Sequence, residues 1–229
     1  MFPISDNNPV RITPYVTYGL IGINIVVFLH QLSLGDSGLY SFFQHYALVP
    51  AQLTASLAGE TIGQPVPEWL TLFTSQFLHG GWFHIGGNML FLWIFGNNIE
   101  EELGHSRFLG FYLGCGALAA LTQWFFTMES TVPSLGASGA IAGVMGAYVL
   151  RFPHAQIDTL VFLGFFITTF RVPARFYLGF WFFQQAISSV FSLSMNPNSG
   201  GVAYWAHAGG FVFGVMLGQL MGLFAPRRR

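Results

Sequence analysis

The stretch Gly136-Ala137-Ser138-Gly139-Ala140 sets a serine among very small residues, at the head of an apolar run that continues to Leu150. A hydroxyl group in an apolar, lipid-surrounded segment is costly unless it is hydrogen-bonded or used in chemistry. Counting helical rise back from Arg151 puts Ser138 about 20 Å along a helix, which is less than the ~30 Å hydrocarbon core of a bilayer. We therefore expect Ser138 to begin a shortened helix inside a membrane.

The composition excludes an ordinary soluble domain. Of the 229 residues, 53% are hydrophobic and only 7% are charged, whereas a soluble domain carries roughly 25% charged residues. The net charge of −1 offers no basic stripe for nucleic acid. Cys115 is the single cysteine, so no intramolecular disulfide can form. We predict one polytopic domain, residues 1–229, embedded in a lipid bilayer.

Six apolar runs are predicted to form transmembrane helices, which makes the fold class an all-α polytopic membrane protein. They cover residues 16–32, 82–99, 108–128, 140–150, 174–193 and 203–223. Between the fourth and fifth runs, the apolar part of residues 151–175 is too short to cross the core, so we expect an interfacial or re-entrant piece there. The long first loop, residues 33–81, is expected to carry a short amphipathic helix over 39–48.

The charged residues predict the orientation in the membrane. The chain has no lysine, and its arginines all fall between, beyond or at the very edge of the apolar runs: Arg11, Arg107, Arg151, Arg171, Arg175 and Arg227 to Arg229. If the chain crosses the membrane six times, all of these arginines lie on the same side of the membrane as both termini. Cytoplasmic loops are the ones enriched in arginine. We therefore predict that the N-terminal segment 1–15 and the basic tail 224–229 are cytoplasmic, and that the loop 33–81 is extracytoplasmic.

Four polar residues inside the predicted helices need an explanation: Ser138, His207, His84 and Asn88. Counted from the nearest cytoplasmic end, they lie about 18 to 24 Å along their helices, and so in one layer roughly 5 to 12 Å below the extracytoplasmic face. The irregular segment 133–136 falls at the same depth, where such backbone is tolerated only if it is buried in protein or lines water. This predicts a water-filled cavity open to the extracytoplasmic side.

Glycines share the faces of these polar side chains. Ser138 is followed by Gly139, Gly143 and Gly146, and His207 by Gly210, Gly214, Gly218 and Gly222. Because small residues let helix backbones approach closely, Ser138 and His207 could come within hydrogen-bond reach, as a nucleophile and its base require. His84 and Asn88, spaced i, i+4, share one helix face. In the structural interpretation, the same side chains only bond to neighbouring helices and the glycines only pack.

As a set, these motifs resemble the rhomboid family of intramembrane serine proteases in its bacterial six-span form. The matching residues are Gly136-Ala137-Ser138-Gly139 for G-x-S-G, Ala206-His207 with Gly210 and Gly214 for A-H-x-x-G-x-x-x-G, His79, His84 and Asn88 in H-x4-H-x3-N spacing, and Glu100 with Gly104 ahead of the third helix. The resemblance runs over residues 72–218, and the first predicted helix fits it as well.

The resemblance implies a Ser–His dyad without an acidic third member, which cleaves transmembrane segments of single-pass or polytopic membrane proteins near their extracytoplasmic side. In that reading, Ser138 is the nucleophile and His207 is the general base and then the general acid. His84, Asn88 and the Ser138 N–H stabilise the oxyanion. No cofactor, metal or nucleic-acid partner is implied, and the expected location is a cell membrane, the bacterial inner membrane.

Two positions depart from the family pattern. Where many members carry a Trp-Arg pair in the first loop, this chain has Trp69-Leu70-Thr71. Where some bacterial members have a tyrosine that stacks on the histidine, this chain has Ala142. What orients His207 is therefore left open.

Two other functions stand beside the protease. A non-catalytic rhomboid-like protein would bind transmembrane helices for quality control, although inactive relatives generally lack the serine or the histidine, and both are present here. A small transporter or channel would line its route with charged residues on both sides of the polar layer, and the predicted helices contain none.

Overall fold

The helices of the protein follow the apolar runs of the sequence closely. The computed structural model describes residues 2–60, 63–164, 166–196, 198 and 200–224. Its helices are α1 Tyr15–Ser33, α2 Asp36–Tyr46, α3 Pro50–Leu57, α4 Thr71–Thr74, α5 Trp82–Leu103, α6 His105–Phe126, α7 Ser138–Arg151, α8 Ala174–Ser192 and α9 Tyr204–Leu220. Its strands are β1 Phe2–Asp6, β2 Gln156–Leu163 and β3 Phe166–Pro173. Each of the six predicted runs is a helix, with ends shifted by a few residues.

Helix α7 lies at the centre of the bundle. It packs against α5, α6, α8 and α9, and every residue from Gly139 to Tyr148 is buried. The contact with α9 is made through glycines, because a Cβ atom on Gly210 or Gly214 would collide with the carbonyl oxygens of Gly139 and Gly143. This close backbone approach is the one that the glycine pattern predicts, and it fixes the first turns of α7 and α9 side by side.

Helix α1 begins on a buried carboxylate from α5. Glu100 is fully buried and accepts hydrogen bonds from the backbone N–H groups of Val16 at 2.9 Å and Thr17 at 2.7 Å. A carboxylate at a helix N-terminus satisfies free N–H donors and complements the helix dipole. Gly104, with φ of 77°, then allows α6 to start immediately after α5. Glu100 thus holds the start of α1 against α5, and Gly104 connects α5 to α6.

The expectation of an all-α fold is wrong, because the protein also contains a three-stranded antiparallel sheet in the order β1-β2-β3. Strands β2 and β3 form a hairpin with Gly164 in a left-handed turn conformation at φ 63°. The hairpin occupies the segment 151–175, for which the sequence predicts an interfacial or re-entrant piece. The physical reason is that the segment is too short to cross a membrane but rich in β-branched residues, such as the buried Ile157 and Thr159, which favour a strand.

The N-terminal segment contributes the remaining strand. Residues Phe2 and Asp6 of β1 pair with Leu160 and Ile157 of β2. The Asp6 carboxylate accepts hydrogen bonds from the Tyr148 hydroxyl of α7 and, at 3.1 Å, from the Asn98 amide of α5. The sheet is therefore attached to the buried helices at the end of the bundle where α7 finishes.

The connections between the long helices separate into two groups. At one end, the N-terminal strand pairs with the hairpin, and the Arg107 guanidinium donates to the carbonyl of Met221 at 2.8 Å, near the end of α9. At the other end, Leu48 of the first loop pairs with Ser134 ahead of α7, and the Thr131 N–H donates to Asn198 at 2.9 Å. The described ends of the chain therefore lie at the same end of the bundle.

The first loop is folded rather than open. Helix α2 occupies the region where the sequence predicts a short helix over residues 39–48. The Gln31 side chain at the end of α1 donates to the His79 carbonyl at 2.7 Å and accepts from the His79 N–H at 3.0 Å. This amide pair ties the end of the loop to α1. The predicted basic tail, with Arg227 to Arg229, lies outside the described residues.

The surface of the helix bundle carries large apolar side chains. Phe83, Leu220 and Val26 are 99%, 80% and 66% exposed, on three different helices. By length and composition alone, two helices of the described chain are apolar enough to cross a membrane, Tyr15–Ser33 and His105–Phe126. The other long helices either are shorter or carry polar side chains such as Asn88 and Gln185 inside their apolar runs.

Candidate active site

Ser138 and His207 are hydrogen-bonded. Ser138 is the first residue of α7 and His207 lies in the first turn of α9, and the His207 Nε2 atom is 2.8 Å from the Ser138 Oγ atom. Both side chains are partly exposed. The glycine contact between α7 and α9 holds the two helices close enough for this bond. The pairing has the geometry of a serine nucleophile and its general base.

The segment ahead of Ser138 is shaped by a glycine. Gly136 has φ of 125°, in the region that favours glycine, and its N–H donates to the Ser75 carbonyl at 2.9 Å. A Cβ atom at Gly136 would lie 2.8 Å from the His84 Nε2 atom. The irregular segment is thus hydrogen-bonded to the first loop, and its tight turn leaves room for the His84 ring beside Ser138.

The His84 ring presents a hydrogen-bond donor to the space beside Ser138. The Gly80 N–H donates to the His84 Nδ1 atom at 3.3 Å, so in the neutral ring the proton is on Nε2. That nitrogen is the one that faces Gly136 and the Ser138 side. The Nε2–H group therefore points into the region where a group bound to Ser138 would lie.

Two further donors lie in the same region of the fold. Asn88 follows His84 by one turn of α5, and its buried side-chain N–H₂ group has no acceptor among the described residues. The backbone N–H of Ser138 belongs to the first turn of α7, where N–H groups have no partner within the helix. A buried amide donor without an acceptor is costly, so this group is available to an incoming hydrogen-bond acceptor.

Small cavities adjoin the serine. One of about 20 Å³ is lined by Ser138, Gln76 and the small residues Gly116 and Ala206. That volume is enough for a single water molecule with polar neighbours. A larger cavity of about 320 Å³ shares the lining residue Ala203 with it and extends among the loops that precede α7 and α9.

Comparisons with known proteins show the family of the chain. A model of the Rhomboid domain matches residues 66–224. The chain belongs to the rhomboid family. Rhomboid proteins are embedded in membranes and act on membrane-protein substrates in the bilayer, and the family contains serine proteases as well as inactive rhomboid-like members.

Curated rhomboid relatives include bacterial, mitochondrial and chloroplast proteins. Rhomboid protein 1, mitochondrial, of Saccharomyces cerevisiae is 31% identical over 219 residues, which are 93% of this chain and 55% of that protein. Rhomboid protease GluP of Bacillus subtilis is 35% identical over 156 residues, 68% of this chain and 27% of that protein. Presenilin-associated rhomboid-like protein, mitochondrial, of Homo sapiens is 29% identical over 209 residues, 86% of this chain and 46% of that protein. The chain thus spans about half the length, or less, of these relatives.

Sequence reasoning missed the group that contacts the other side of the rhomboid histidine. The His207 Nδ1 atom lies 2.8 Å from the Gln185 side-chain oxygen, and the Trp181 ring packs on the imidazole with centroids 5.8 Å apart. Both residues belong to α8. One sequence signal could have indicated Gln185. It is a polar residue inside an apolar run, and it is spaced four residues from Trp181 and four from Ser189.

His79, the first histidine of the H-x4-H-x3-N motif, lies behind His84. The two rings meet edge to face with centroids 5.1 Å apart, and neither His79 ring nitrogen has a partner among the described residues. Burial, together with the nearby His84, lowers the pKa of His79 to about 4. His79 is therefore neutral at physiological pH and supports the His84 ring by packing. Within the described chain, no group of His, Cys, Asp and Glu residues is arranged to hold a metal ion.

Proposed function

We propose that this rhomboid protein is an intramembrane serine endopeptidase, which cleaves transmembrane segments of other membrane proteins near their extracytoplasmic end. The single observation that carries the proposal is the 2.8 Å hydrogen bond between Ser138 Oγ and His207 Nε2. The lone pair of Nε2 is the acceptor that a serine hydroxyl needs in order to become a nucleophile.

The proposed reaction uses one base twice. Ser138 Oγ attacks the scissile carbonyl carbon while its proton moves to His207 Nε2, and the proton then passes to the leaving amine as the C–N bond breaks. A water molecule attacks the acyl-enzyme next and gives its proton to Nε2, which returns it to Ser138 Oγ as the ester breaks.

The oxyanion formed in both steps would be stabilised by His84, Asn88 and the Ser138 N–H. The support for these roles is that His84 Nε2 faces the serine region as a donor and that the Asn88 amide lacks an acceptor within the described chain. Donors aimed at developing negative charge are worth roughly 3 to 4 kcal/mol of barrier each.

The proposed topology has six membrane-spanning helices, α1 and α5 to α9, in a single rhomboid domain of residues 1–229 with both termini in the cytoplasm. It is supported by the apolar side chains on the outside of the bundle and by the two groups of connections at its ends. Arg11, Arg107, Arg151, Arg171 and Arg175 all belong to the end that carries the sheet, so the positive-inside rule makes that end cytoplasmic. The Bacillus subtilis relative favours a bacterial cell membrane, and the mitochondrial relatives make a mitochondrial membrane the alternative.

The active site then lies below the extracytoplasmic face, in a depression open to water. Helix α7 has only 14 residues, which is about 21 Å of rise, so its first residue begins inside a core of ~30 Å. The partners of the protein are the bilayer and single-pass or polytopic membrane proteins. A substrate helix must unwind to reach the serine, so we expect small or helix-weakening residues at the cleaved bond.

The test is cleavage of a single-pass model substrate by the purified protein in liposomes, with fluorophosphonate labelling of the serine in parallel. The wild type should cleave and be labelled, and Ser138→Ala should do neither while keeping its thermal unfolding midpoint. Cleavage by Ser138→Ala at the wild-type rate would contradict the assignment. A folded wild type that binds the substrate helix but neither cleaves nor reacts would instead indicate the non-catalytic quality-control function.

A further inference from the structure

One face of α8 lies against the Ser138–His207 pair. Trp181, Gln185 and Ser189 are spaced four residues apart and so share this face, and Gln185 is only 7% exposed. The Ser189 hydroxyl donates to the Gln185 backbone carbonyl at 2.8 Å. A long amide side chain buried in an apolar helix loses hydration, and it is retained only if its polar atoms have partners.

The partner of the Gln185 oxygen is the histidine. The Gln185 Oε1 atom lies 2.8 Å from His207 Nδ1, on the side of the ring opposite the Nε2 atom that contacts Ser138. An amide oxygen can only accept a hydrogen bond, so Nδ1 must carry a proton. A neutral imidazole has one N–H group, so Nε2 is then unprotonated and can only accept.

We propose that Gln185 is a positioning residue, which holds His207 in the Nδ1–H tautomer and so keeps Nε2 available to take the Ser138 proton. The inference rests on the proposed function for its catalytic consequence. It answers the question that Ala142 leaves open, because the imidazole is oriented by α8 rather than by a side chain one turn after the serine.

The neutral amide suits this environment. When His207 takes the proton from Ser138, the imidazolium still donates from Nδ1 to the Gln185 oxygen, so the orienting bond persists through the reaction. A carboxylate at the same place would strengthen that bond but would also have to be buried as a charge. The Trp181 ring, packed on the imidazole, limits tilting of the ring about the axis that the two hydrogen bonds define.

The kinetic test compares two near-isosteric substitutions. Gln185→Met keeps the length of the side chain and removes the acceptor, and Gln185→Glu keeps an acceptor oxygen at the same distance. We expect Gln185→Met to lower kcat by at least about tenfold with KM little changed, as loss of a buried hydrogen bond to a charged group predicts. Gln185→Glu should keep most of the activity. The control is Gln184→Met, since the neighbouring Gln184 is exposed and faces away from His207.

Equal kcat for Gln185→Met, Gln184→Met and the wild type would overturn the proposal, because a residue that only fills space is replaced by methionine at little cost. If the wild type cleaves normally in these experiments, the proposed function stands and only the role of Gln185 fails.

A second measurement does not depend on activity. In protein with ¹⁵N-labelled histidine, the side-chain shifts of His207 distinguish an N–H at Nδ1 from one at Nε2, and His207→Gln assigns its signals. We expect the Nδ1–H tautomer in the wild type and a mixture of tautomers in Gln185→Met. An Nε2–H tautomer in the wild type would overturn the proposal even if no substrate were ever cleaved. Conversely, the expected tautomer in an inactive wild type would support the role of Gln185 and contradict the proposed function.

Discussion

Gly143 of α7 and Gly214 of α9 meet backbone to backbone, and a Cβ atom on Gly214 would overlap the main chain of Gly143. This contact lies roughly one and a half turns along α7 from Ser138 and roughly two turns along α9 from His207. The distance between these two side chains is therefore set by residues that have no side chain.

The first prediction concerns this contact. Gly214→Ala should separate α7 from α9, lowering the free energy of unfolding by about 1 to 3 kcal/mol through overpacking. It should also reduce fluorophosphonate labelling of Ser138 in the protein that remains folded. The control is Gly179→Ala on α8, where no described atom lies within 4 Å of an added Cβ. Full labelling of Gly214→Ala would contradict the idea that the glycine contact positions the pair.

The second prediction concerns the amide of Asn88. Asn88→Ala should lower kcat by about 10²- to 10³-fold, as expected for one oxyanion donor, and should leave KM for the substrate nearly unchanged. Labelling by a fluorophosphonate should be slower but still present. Asn24→Ala is a suitable control, because Asn24 is also buried but bonds to the Leu20 carbonyl within α1. A kcat loss no larger than that of the control would remove Asn88 from the oxyanion site.

The third prediction concerns the residue whose carbonyl is attacked. The cavity of about 20 Å³ beside Ser138 is bordered by Gly116 and Ala206 and has no room for a large side chain. A model substrate with alanine at this position should have a kcat/KM about 10- to 200-fold above that of the phenylalanine version, since pockets discriminate by size on this scale. The same exchange two helical turns away in the substrate should have a much smaller effect. Equal cleavage of both versions would show that this cavity does not receive the side chain.

The fourth prediction concerns pH. Glu68 of the first loop is 3% exposed, its Oε2 atom has no partner within the described chain, and burial raises the pKa of its carboxyl from 4.5 to about 7. The folded state therefore binds this proton more tightly than the unfolded chain. The resulting stabilisation is complete below pH 4.5 and is lost as pH rises from there to about 7.

Glu68→Gln should therefore show no fall in thermal midpoint between about pH 5 and about pH 8, the window set by the pKa of Glu68. At the upper end of this window, the variant should be more stable than the wild type. The exposed Glu60 in the same loop provides the control, and Glu60→Gln should keep the pH dependence of the wild type. An unaltered pH dependence in Glu68→Gln would place the titrating group elsewhere.

Helix positions were predictable because apolar run length is a strong signal. The six runs and the glycine pattern indicate which helices touch, and counting helical rise puts Ser138 and His207 in one layer. The predicted proximity of the two side chains agrees with the 2.8 Å distance between them. The sheet was not predictable in the same way, because a short apolar run such as 160–170 is compatible with a strand or with a buried helix until its partner strand is known.

The Gln185 contact could not be derived from the sequence for a different reason. A polar residue in an apolar run signals that something is bonded to it, but not what. Its partner depends on how α8 is rotated against α9, which is decided by packing of rings such as Phe182 on Phe211. The sequence therefore predicted that Ser138 and His207 lie close together, while the contact that supports the histidine required the structure.

The sheet ties the first residues of the chain to a segment made much later. Ser5 and Asp158 are 153 positions apart and are joined by a 2.9 Å hydrogen bond. In the proposed topology, β1 stays on the ribosome side of the membrane during synthesis until α1, α5, α6 and α7 have been inserted and β2 has emerged. Contacts of such separation form late. In that topology, pairing of β1 with β2 closes a loop around four inserted helices and marks the completion of the half of the protein that carries the serine.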